Sequence, residues 1–167
     1  MGRDPRFAEA ARAVGEALAA RGVGLVYGGA NVGLMGVVAD AALGGGGEVI
    51  GVIPRGLEGR EVAHRGLTAL HVTDGMHARK QMMYALADAF VALPGGFGTL
   101  DELFEILTWA QLGDHRKPVG LLNVAGFYDG LLAFIATQAD AGLLLPEYRG
   151  LLRVGDEPVA LIEALLP

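Results

Sequence analysis

A run of glycines and two carboxylates share one short segment, Pro94 to Glu102, with the sequence PGGFGTLDE. Glycines that lead into a helix can bind an anion, because the free backbone N–H groups and the positive end of the helix dipole both attract it. Asp101 and Glu102 follow within a turn. A carboxylate in such a place could orient or deprotonate water. The segment therefore predicts an anion-binding turn with a candidate general base beside it.

The same letters also have a purely structural interpretation. Thr99-Leu-Asp-Glu102 matches a capping box, in which Thr99 caps the new helix and Glu102 reaches back to the N–H of Thr99. Asp101 would then be an acid that interacts favourably with the helix dipole. The spacing alone leaves both a helix cap and a catalytic role open for Glu102.

A second glycine-rich turn, residues 27–36 with the sequence YGGANVGLMG, follows another predicted strand. It does not match G-x-G-x-x-G, and the next strand ends near Arg55 instead of at the acid that holds the ribose of NAD. An NADP-binding turn remains compatible with Arg55. Gly33 and Gly36 would either allow close helix packing or contact a ligand. The PGGFGTLDE turn lacks the Walker lysine, which argues against P-loop chemistry.

The elements that must position these turns are strand-like runs alternating with helical patterns, which is typical of β-α-β units and a parallel sheet. Strands are predicted over residues 23–27, 48–53, 69–72, 89–93, 119–122 and 151–154. Helices are predicted over residues 5–20 with Asp4 as the N-cap, from 31 to the glycine run 44–47, over 76–87, after the PGGFGT turn, and over 127–141 and 158–166. Residues 55–66 are polar and predict an irregular loop or lid. Both glycine turns follow strands, at the sheet edge where such folds bind ligands.

The composition narrows the class of protein. The 167 residues are 52% hydrophobic and suffice for one domain with a sizeable core. A net charge of −6 argues against a nucleic-acid or membrane-surface binder. The chain has no cysteine, and its four histidines lack the spacing of a metal site, so no metal is expected. The start of the chain resembles no secretory signal and no apolar run could span a membrane, so a cytoplasmic protein is expected.

Several motifs in this order resemble the Lonely Guy family, the cytokinin riboside 5′-monophosphate phosphoribohydrolases. They are Gly28-Gly29 with Gly33-Leu-Met-Gly36, Met76-His-Ala-Arg-Lys80, the PGGFGTLDE segment, Thr108-Trp-Ala-Gln-Leu-Gly113 and Lys117-Pro-Val-Gly-Leu-Leu-Asn123. The resemblance covers nearly the whole chain. It implies hydrolysis of the N-glycosidic bond of an adenine-type nucleoside 5′-monophosphate, with release of the free base and ribose 5-phosphate and with no cofactor.

The resemblance also implies roles for individual residues. Arg79 and Glu102 correspond to the catalytic pair of the family. The implied substrate-binding residues are Gly28, Gly29, Met76, Lys80, Gly95, Gly96, Gly98 and Thr99, of which the last four form the turn that holds the phosphate. A carboxylate suits this reaction, because cleavage of an N-glycoside builds positive charge on the sugar.

The implied fold is one domain over residues 1–167, a three-layer, Rossmann-like, doubly wound parallel sheet, assembled as a homodimer. Phe104 and Trp109 are candidate contacts with the partner subunit. Family members begin with a further, central strand, whereas this chain begins with the helix that follows it. We therefore expect a missing first strand, either because the start is truncated or because the sheet has a gap between its predicted strands at 23–27 and 89–93.

The family resemblance raises two other functions, of which the sequence supports one. Family members often carry the label lysine decarboxylase, but this chain has only two lysines, Lys80 and Lys117, and no sign of a pyridoxal phosphate site. Molybdenum-cofactor carrier proteins resemble the family in fold and in the Pro-Gly-Gly-x-Gly-Thr turn. A non-catalytic nucleotide or molybdenum-cofactor carrier is therefore the alternative to the hydrolase.

Overall fold

Six strands form two three-stranded parallel sheets in the computed structural model, which describes residues 2–57 and 63–166. The chain divides into two compact units, Met1–Ala87 and Asp88–Pro167, with one sheet in each. The predicted α/β, Rossmann-like class is confirmed. Among the described residues the strands form two separate sheets, and the strands predicted at 23–27 and 89–93, between which the sequence left room for a gap, belong to different sheets. The single domain over 1–167 stays a prediction.

In its described residues, 2–57 and 63–87, the first unit contains four helices and three strands. They are α1 (Pro5–Ala20), β1 (Leu25–Tyr27), α2 (Gly33–Gly44), β2 (Val49–Pro54), α3 (Arg55–Leu57), β3 (Ala69–Thr73) and α4 (Met76–Leu86). The strand order is β1-β2-β3, with Leu25 opposite Val49 and Ile50 opposite Ala69. Consecutive parallel strands joined by helices are the connection that the alternating sequence pattern predicts.

Helix α1 begins where the sequence predicts it. The Asp4 carboxylate accepts a hydrogen bond of 3.0 Å from the N–H of Arg6, and Pro5 is the first helical residue. Small residues let α1 pack closely on α2: a Cβ at Gly15 would lie 2.5 Å from the carbonyl oxygen of Val38. The contact therefore requires glycine at that position.

Tyr27 anchors the core between α2 and the first sheet. It is 6% exposed and packs with Ala39, Ala42 and Val49. Its hydroxyl is buried and has no hydrogen-bond partner among the described residues. Burial, with a smaller effect from the charge of Asp40, raises the pKa of Tyr27. A buried hydroxyl without a partner destabilises a core because it has lost its hydrogen bond to water.

We expect the substitution Tyr27→Phe to raise the free energy of unfolding by about 1 kcal/mol, because it removes the unpaired hydroxyl and keeps the ring. The pKa of Tyr27 in the folded protein lies above the ordinary 10.0, so above pH 10 the unfolded chain loses this proton before the folded protein does. The contribution of this group to the free energy of unfolding is therefore fully present below pH 10 and falls as the pH rises further. The advantage of phenylalanine should therefore grow above pH 10. Urea unfolding of both proteins at neutral and alkaline pH measures this, and a clearly less stable variant would contradict it.

The second unit contains three strands and three α-helices. They are β4 (Phe90–Ala92), α5 (Phe97–Leu112), β5 (Val119–Leu122), α6 (Asp129–Asp140), β6 (Leu152–Gly155) and α7 (Pro158–Leu165), with 3-10 turns at Val124–Gly126 and Pro146–Leu151. The strand order is β4-β5-β6, and all four residues of β5 are buried. Gly120 leaves room for α7, since a Cβ there would lie 2.7 Å from Leu165 Cδ1.

The predicted loop over residues 55–66 needs a correction. Arg55–Leu57 forms one helical turn, and Ala63 pairs with Ala30 in an isolated antiparallel bridge. The prediction for residues 58–62 lies outside the described residues. Within 2–57 and 63–166, no helix has the length and hydropathy that a membrane span requires.

Candidate active site

The first turn of α5 is the predicted anion-binding turn. Its N-cap residue is Gly96, and no side chain caps the helix. A Cβ added at Gly96 or at Gly98 would meet no atom within 4 Å, and the Phe97 side chain is 94% exposed. The N–H groups at the start of a helix have no partner within the helix. This helix end is therefore open to an anionic ligand.

The capping-box interpretation of Thr99 and Glu102 is wrong. The helix begins at Phe97, so Thr99 is its third residue and Glu102 its sixth. Gly96, the residue before the helix, is not helical, with φ −98° and ψ −152°. A capping box needs the threonine at the N-cap and the glutamate three residues later. Glu102 lies instead in the second turn, where its side chain is half-buried. Helix capping therefore does not account for a glutamate at this position.

The structure brings Gly95 and Thr99 together. A Cβ at Gly95 would overlap the hydroxyl of Thr99 and lie 2.7 Å from the Thr99 Cβ. Only glycine lets the threonine side chain pack against the backbone at the end of the turn. Gly95 therefore shapes the turn, whereas Gly96 and Gly98 leave its outer face open.

Arg79 is held in one orientation at the start of α4. Its Nε donates a hydrogen bond of 3.1 Å to the carbonyl oxygen of Val52 in β2, and its Nη1 lies 3.7 Å from Met76 Sδ. A Cβ at Gly28 would overlap Nη2 of Arg79. The structure thus brings three predicted site residues, Gly28, Met76 and Arg79, into one cluster in the first unit. A guanidinium fixed in this way presents a rigid fork, the geometry that suits phosphate or sugar oxygens.

The other predicted residues of the first unit have structural explanations or lie beside this cluster. Gly29 has φ +75°, and a Cβ there would lie 3.3 Å from the N–H nitrogen of Val52. Lys80 follows Arg79 in α4 and is half-buried. Gly33 has φ +62°, and a Cβ at Gly36 would lie 2.5 Å from the backbone of the preceding turn. Backbone packing accounts for these glycines without a ligand.

Gly28→Ala should lower kcat/KM for the hydrolysis that the family resemblance implies by about 10- to 100-fold, because its methyl group would displace the Arg79 guanidinium and small misplacements of a positioning group are costly. Gly44→Ala is the matched control: it lies in the same unit, at the end of α2, with nothing within 4 Å of the added Cβ. The control should keep wild-type kinetics. Steady-state kinetics of both variants test this, and equal activity would show that Arg79 does not depend on the space at Gly28.

Sequence reasoning missed Tyr128, which contacts the anion-binding turn from the start of α6. Its hydroxyl donates a hydrogen bond of 2.7 Å to the carbonyl oxygen of Leu93. Burial raises the pKa of Tyr128 to about 12, and the backbone of Gly95 partly offsets that effect. The signal in the sequence was the position of this segment, directly after the strand 119–122, at the ligand-binding edge of the sheet.

A separate cavity of about 590 Å³ lies in the first unit, lined by Asn31, Asp40, Ala63, His64, Arg65 and Gly66. His64 Nδ1 accepts from the N–H of Gly66, so Nε2 carries the proton and donates to Asp40 at 3.0 Å. Both ring nitrogens of His64 are therefore engaged. None of the predicted site residues lines this cavity.

Acidic side chains and histidines are dispersed over the described parts of the chain. In residues 2–57 and 63–166, no three of them come close enough to hold a metal ion. The candidate site residues thus offer a helix N-terminus and a glutamate at the start of α5, and an oriented arginine at the start of α4.

Comparison with known proteins bears on this chemistry. A family model described as possible lysine decarboxylase matches residues 35–165. The cytokinin riboside 5′-monophosphate phosphoribohydrolase LOG of Oryza sativa subsp. japonica is 51% identical over 148 residues, which are 89% of this chain and 61% of the rice protein. LOG7 of Arabidopsis thaliana, with the same enzyme name, is also 51% identical over 148 residues, and the match covers 68% of its length. The phosphoribohydrolase of Rhodococcoides fascians is 50% identical over 149 residues, and the match covers 75% of its length.

Solved structures of similar fold include proteins that bind the molybdenum cofactor. The molybdenum cofactor binding protein of Rippkaea orientalis has a TM-score of 0.72 and 25% identity, over 96% of this chain and 86% of that protein. The molybdenum cofactor carrier protein of Chlamydomonas reinhardtii has a TM-score of 0.71 and 27% identity, with the same coverage of both chains. Sequence identity to these proteins is about half of that to the phosphoribohydrolases.

Proposed function

Since the chain belongs to the family of cytokinin riboside 5′-monophosphate phosphoribohydrolases, whose family model is described as possible lysine decarboxylase, we propose that it hydrolyses the N-glycosidic bond of adenine-type nucleoside 5′-monophosphates. The products are the free base and ribose 5-phosphate. The chain spans 61% of the length of the rice relative, so the activity and substrate of the relatives are proposals for this chain.

The observation that carries the proposal is the start of α5. A helix end without a side-chain cap lies beside two glycines that leave it open, and a half-buried glutamate follows in the next turn. The N–H groups from Gly96 to Thr99 bind the 5′-phosphate, because they point out of the helix at its positive end. Gly95 contributes the space that the Thr99 side chain needs, since a Cβ at this position would overlap the Thr99 hydroxyl.

Glu102 of the second unit and Arg79 of the first, the predicted catalytic pair, each have a proposed role in the reaction. Water attacks C1′ of the ribose as the bond from C1′ to the base nitrogen breaks, and the electron pair of that bond leaves with the base, which takes up a proton. Glu102 orients or deprotonates this water and stabilises the positive charge that develops on the sugar. Arg79 binds a sugar or phosphate oxygen through its oriented guanidinium. Met76 and Lys80 assist as substrate-binding residues next to Arg79.

Incubation with AMP and with isopentenyl-AMP tests the proposed activity. Chromatography should show free adenine or isopentenyladenine together with an equal amount of ribose 5-phosphate. Adenosine is the control substrate, because it lacks the phosphate that the α5 turn would bind. Rapid cleavage of adenosine, or no cleavage of either monophosphate, would contradict the proposal.

The carrier function is the second candidate, and the fold similarity to molybdenum-cofactor proteins is the observation that favours it. The higher identity to the phosphoribohydrolases supports hydrolysis instead. A carrier would retain its ligand through gel filtration and would release neither base nor ribose 5-phosphate. Lysine decarboxylation is not proposed, because the sequence carries no pattern of a pyridoxal phosphate site.

The proposal includes a homodimer. Helix α6 has no buried residue although it is rich in apolar side chains, and Phe134 within it is 57% exposed. Phe104 and Leu112 on α5 are exposed as well. Apolar surface of this kind is typical of an interface between subunits. Light scattering after gel filtration should give twice the chain mass of 17.3 kDa, and a stable monomer would refute the dimer.

A cytoplasmic location is also proposed, supported by the absence of cysteine from the sequence.

A further inference from the structure

The chain between β5 and α6 follows an unusual backbone path. Ala125 has φ 56°, and it is the one non-glycine residue with positive φ among the described parts of the chain. Gly126 follows with φ 71°, and a Cβ there would lie 2.6 Å from Asp129 Oδ2. Residues other than glycine rarely adopt this left-handed conformation. Such conformations persist where the surrounding structure enforces them, and they cluster near functional sites.

The side chain of Asn123 holds this path in place. Its Nδ2 donates to Asp129 Oδ1 at 2.7 Å, and its Oδ1 accepts from the backbone N–H of Tyr128 at 2.7 Å. Its own backbone N–H donates to the carbonyl oxygen of Gly155 at the end of β6, also at 2.7 Å. Asn123 therefore ties the left-handed loop to the sheet and sets the position from which the Tyr128 side chain leaves the backbone.

Tyr128 in turn ties down the end of β4. Its side chain is almost fully buried, at 3% exposed, and packs edge-on against the ring of Phe127. The hydroxyl donates to the carbonyl oxygen of Leu93 at 2.7 Å, and the backbone of Gly95 lowers the pKa of the same hydroxyl. Pro94, between these two residues, has no N–H with which to pair. The bond to Leu93 thus fixes the residue before the proline, where the chain passes from β4 into the anion-binding turn.

We propose that Tyr128 is a positioning residue, which holds the Gly95 to Thr99 turn in the conformation that binds the phosphate of the substrate, and that Asn123 fixes Tyr128 for this task. The proposal rests on the proposed function, because it takes the phosphate to be that of a nucleoside 5′-monophosphate. A turn already held in its bound conformation has less entropy to lose when the ligand binds. Loss of the hydroxyl should therefore weaken phosphate binding and leave the chemical step nearly unchanged.

The test compares Tyr128→Phe with Tyr148→Phe, which removes a tyrosine hydroxyl from another part of the same unit. Three quantities are measured: KM and kcat for AMP, the dissociation constant of ribose 5-phosphate by titration calorimetry, and the hydrogen-exchange rate of the Gly95 amide by NMR. For Tyr128→Phe we expect KM and the dissociation constant to rise by about tenfold, with kcat changed by less than about threefold. Exchange at Gly95 should accelerate, while Tyr148→Phe should match the wild type.

A second variant, Asn123→Ala, should shift the same quantities in the same direction, because it releases the backbone of Tyr128. Unchanged KM, ribose 5-phosphate affinity and Gly95 exchange in Tyr128→Phe would overturn the positioning role. Acceleration of exchange throughout the second unit would also overturn it, since that result marks a general structural role.

The failure of this proposal is distinguishable from failure of the proposed function. If the wild type cleaves no monophosphate but binds ribose 5-phosphate, and Tyr128→Phe binds it more weakly, the hydrolase proposal fails and the positioning role stands. If the wild type cleaves AMP and Tyr128→Phe has the same KM, the positioning role fails alone. If the wild type neither cleaves AMP nor binds ribose 5-phosphate, the turn does not bind phosphate and both proposals are refuted.

Discussion

Glu102→Gln is expected to lower kcat for release of adenine from AMP by about 1000-fold, a loss within the usual range for general acid–base groups. The amide keeps the size of the side chain but cannot accept a proton from water or stabilise a cationic sugar. Glu102 lies in the second turn of α5 and does not cap the helix, so the free energy of unfolding of the variant is measured together with its rate.

Asp101→Asn is the matched control for this experiment. Asp101 is the preceding residue of the same helix, is exposed, and undergoes the same chemical change from acid to amide. We expect kinetics close to those of the wild type. Measurement of initial rates and of urea unfolding separates the two effects. A Glu102→Gln protein that keeps full activity would exclude Glu102 from the reaction, and one that loses activity only in step with its stability would point to a structural role.

Arg79→Lys is expected to lower kcat/KM by about 100-fold, although it preserves the positive charge. The arginine donates from Nε to the carbonyl oxygen of Val52 and contacts Met76, so its guanidinium is oriented by the protein. A lysine ammonium is a compact charge that cannot donate to Val52 and also present a planar fork to the substrate. The substitution therefore tests orientation and not charge alone.

Arg12→Lys provides the control, because Arg12 is exposed on α1 and is not among the predicted site residues. Its kinetics should equal those of the wild type. Titration of AMP against Arg79→Lys, with kcat and KM determined separately, shows whether binding or the chemical step depends on the guanidinium. Wild-type values for both constants in Arg79→Lys would mean that a positive charge suffices and that the bond to Val52 has no role in the reaction.

The family and the order of helices and strands followed from the sequence because their signals are local. Asp4 and Pro5 predicted the start of α1 from residues that touch one another within a single turn. The uninterrupted apolar run Val119–Leu122 predicted β5 to the residue. Motif residues of the candidate site were located in the same way, since the PGGFGT turn and the Met76-His-Ala-Arg segment are recognisable from their own letters.

The sequence was less informative about how each site residue is used. Thr99 and Glu102 match a capping box letter by letter, yet the helix begins at Phe97 and Thr99 packs against Gly95 instead. A capping rule considers only four neighbouring residues. The path by which the chain leaves β4 also depends on Tyr128, which lies 35 residues beyond Leu93.

The sequence by itself thus determined the α/β class, the family, the element order and the positions of the candidate catalytic pair. The tertiary structure decided that the strands form two sheets, that Gly28 makes room for Arg79, and that the Tyr128 hydroxyl bonds to Leu93. The physical reason is the range of the interactions concerned. Periodicity and turn chemistry act within a few residues, whereas packing contacts and buried hydrogen bonds join residues that only the folded chain brings together.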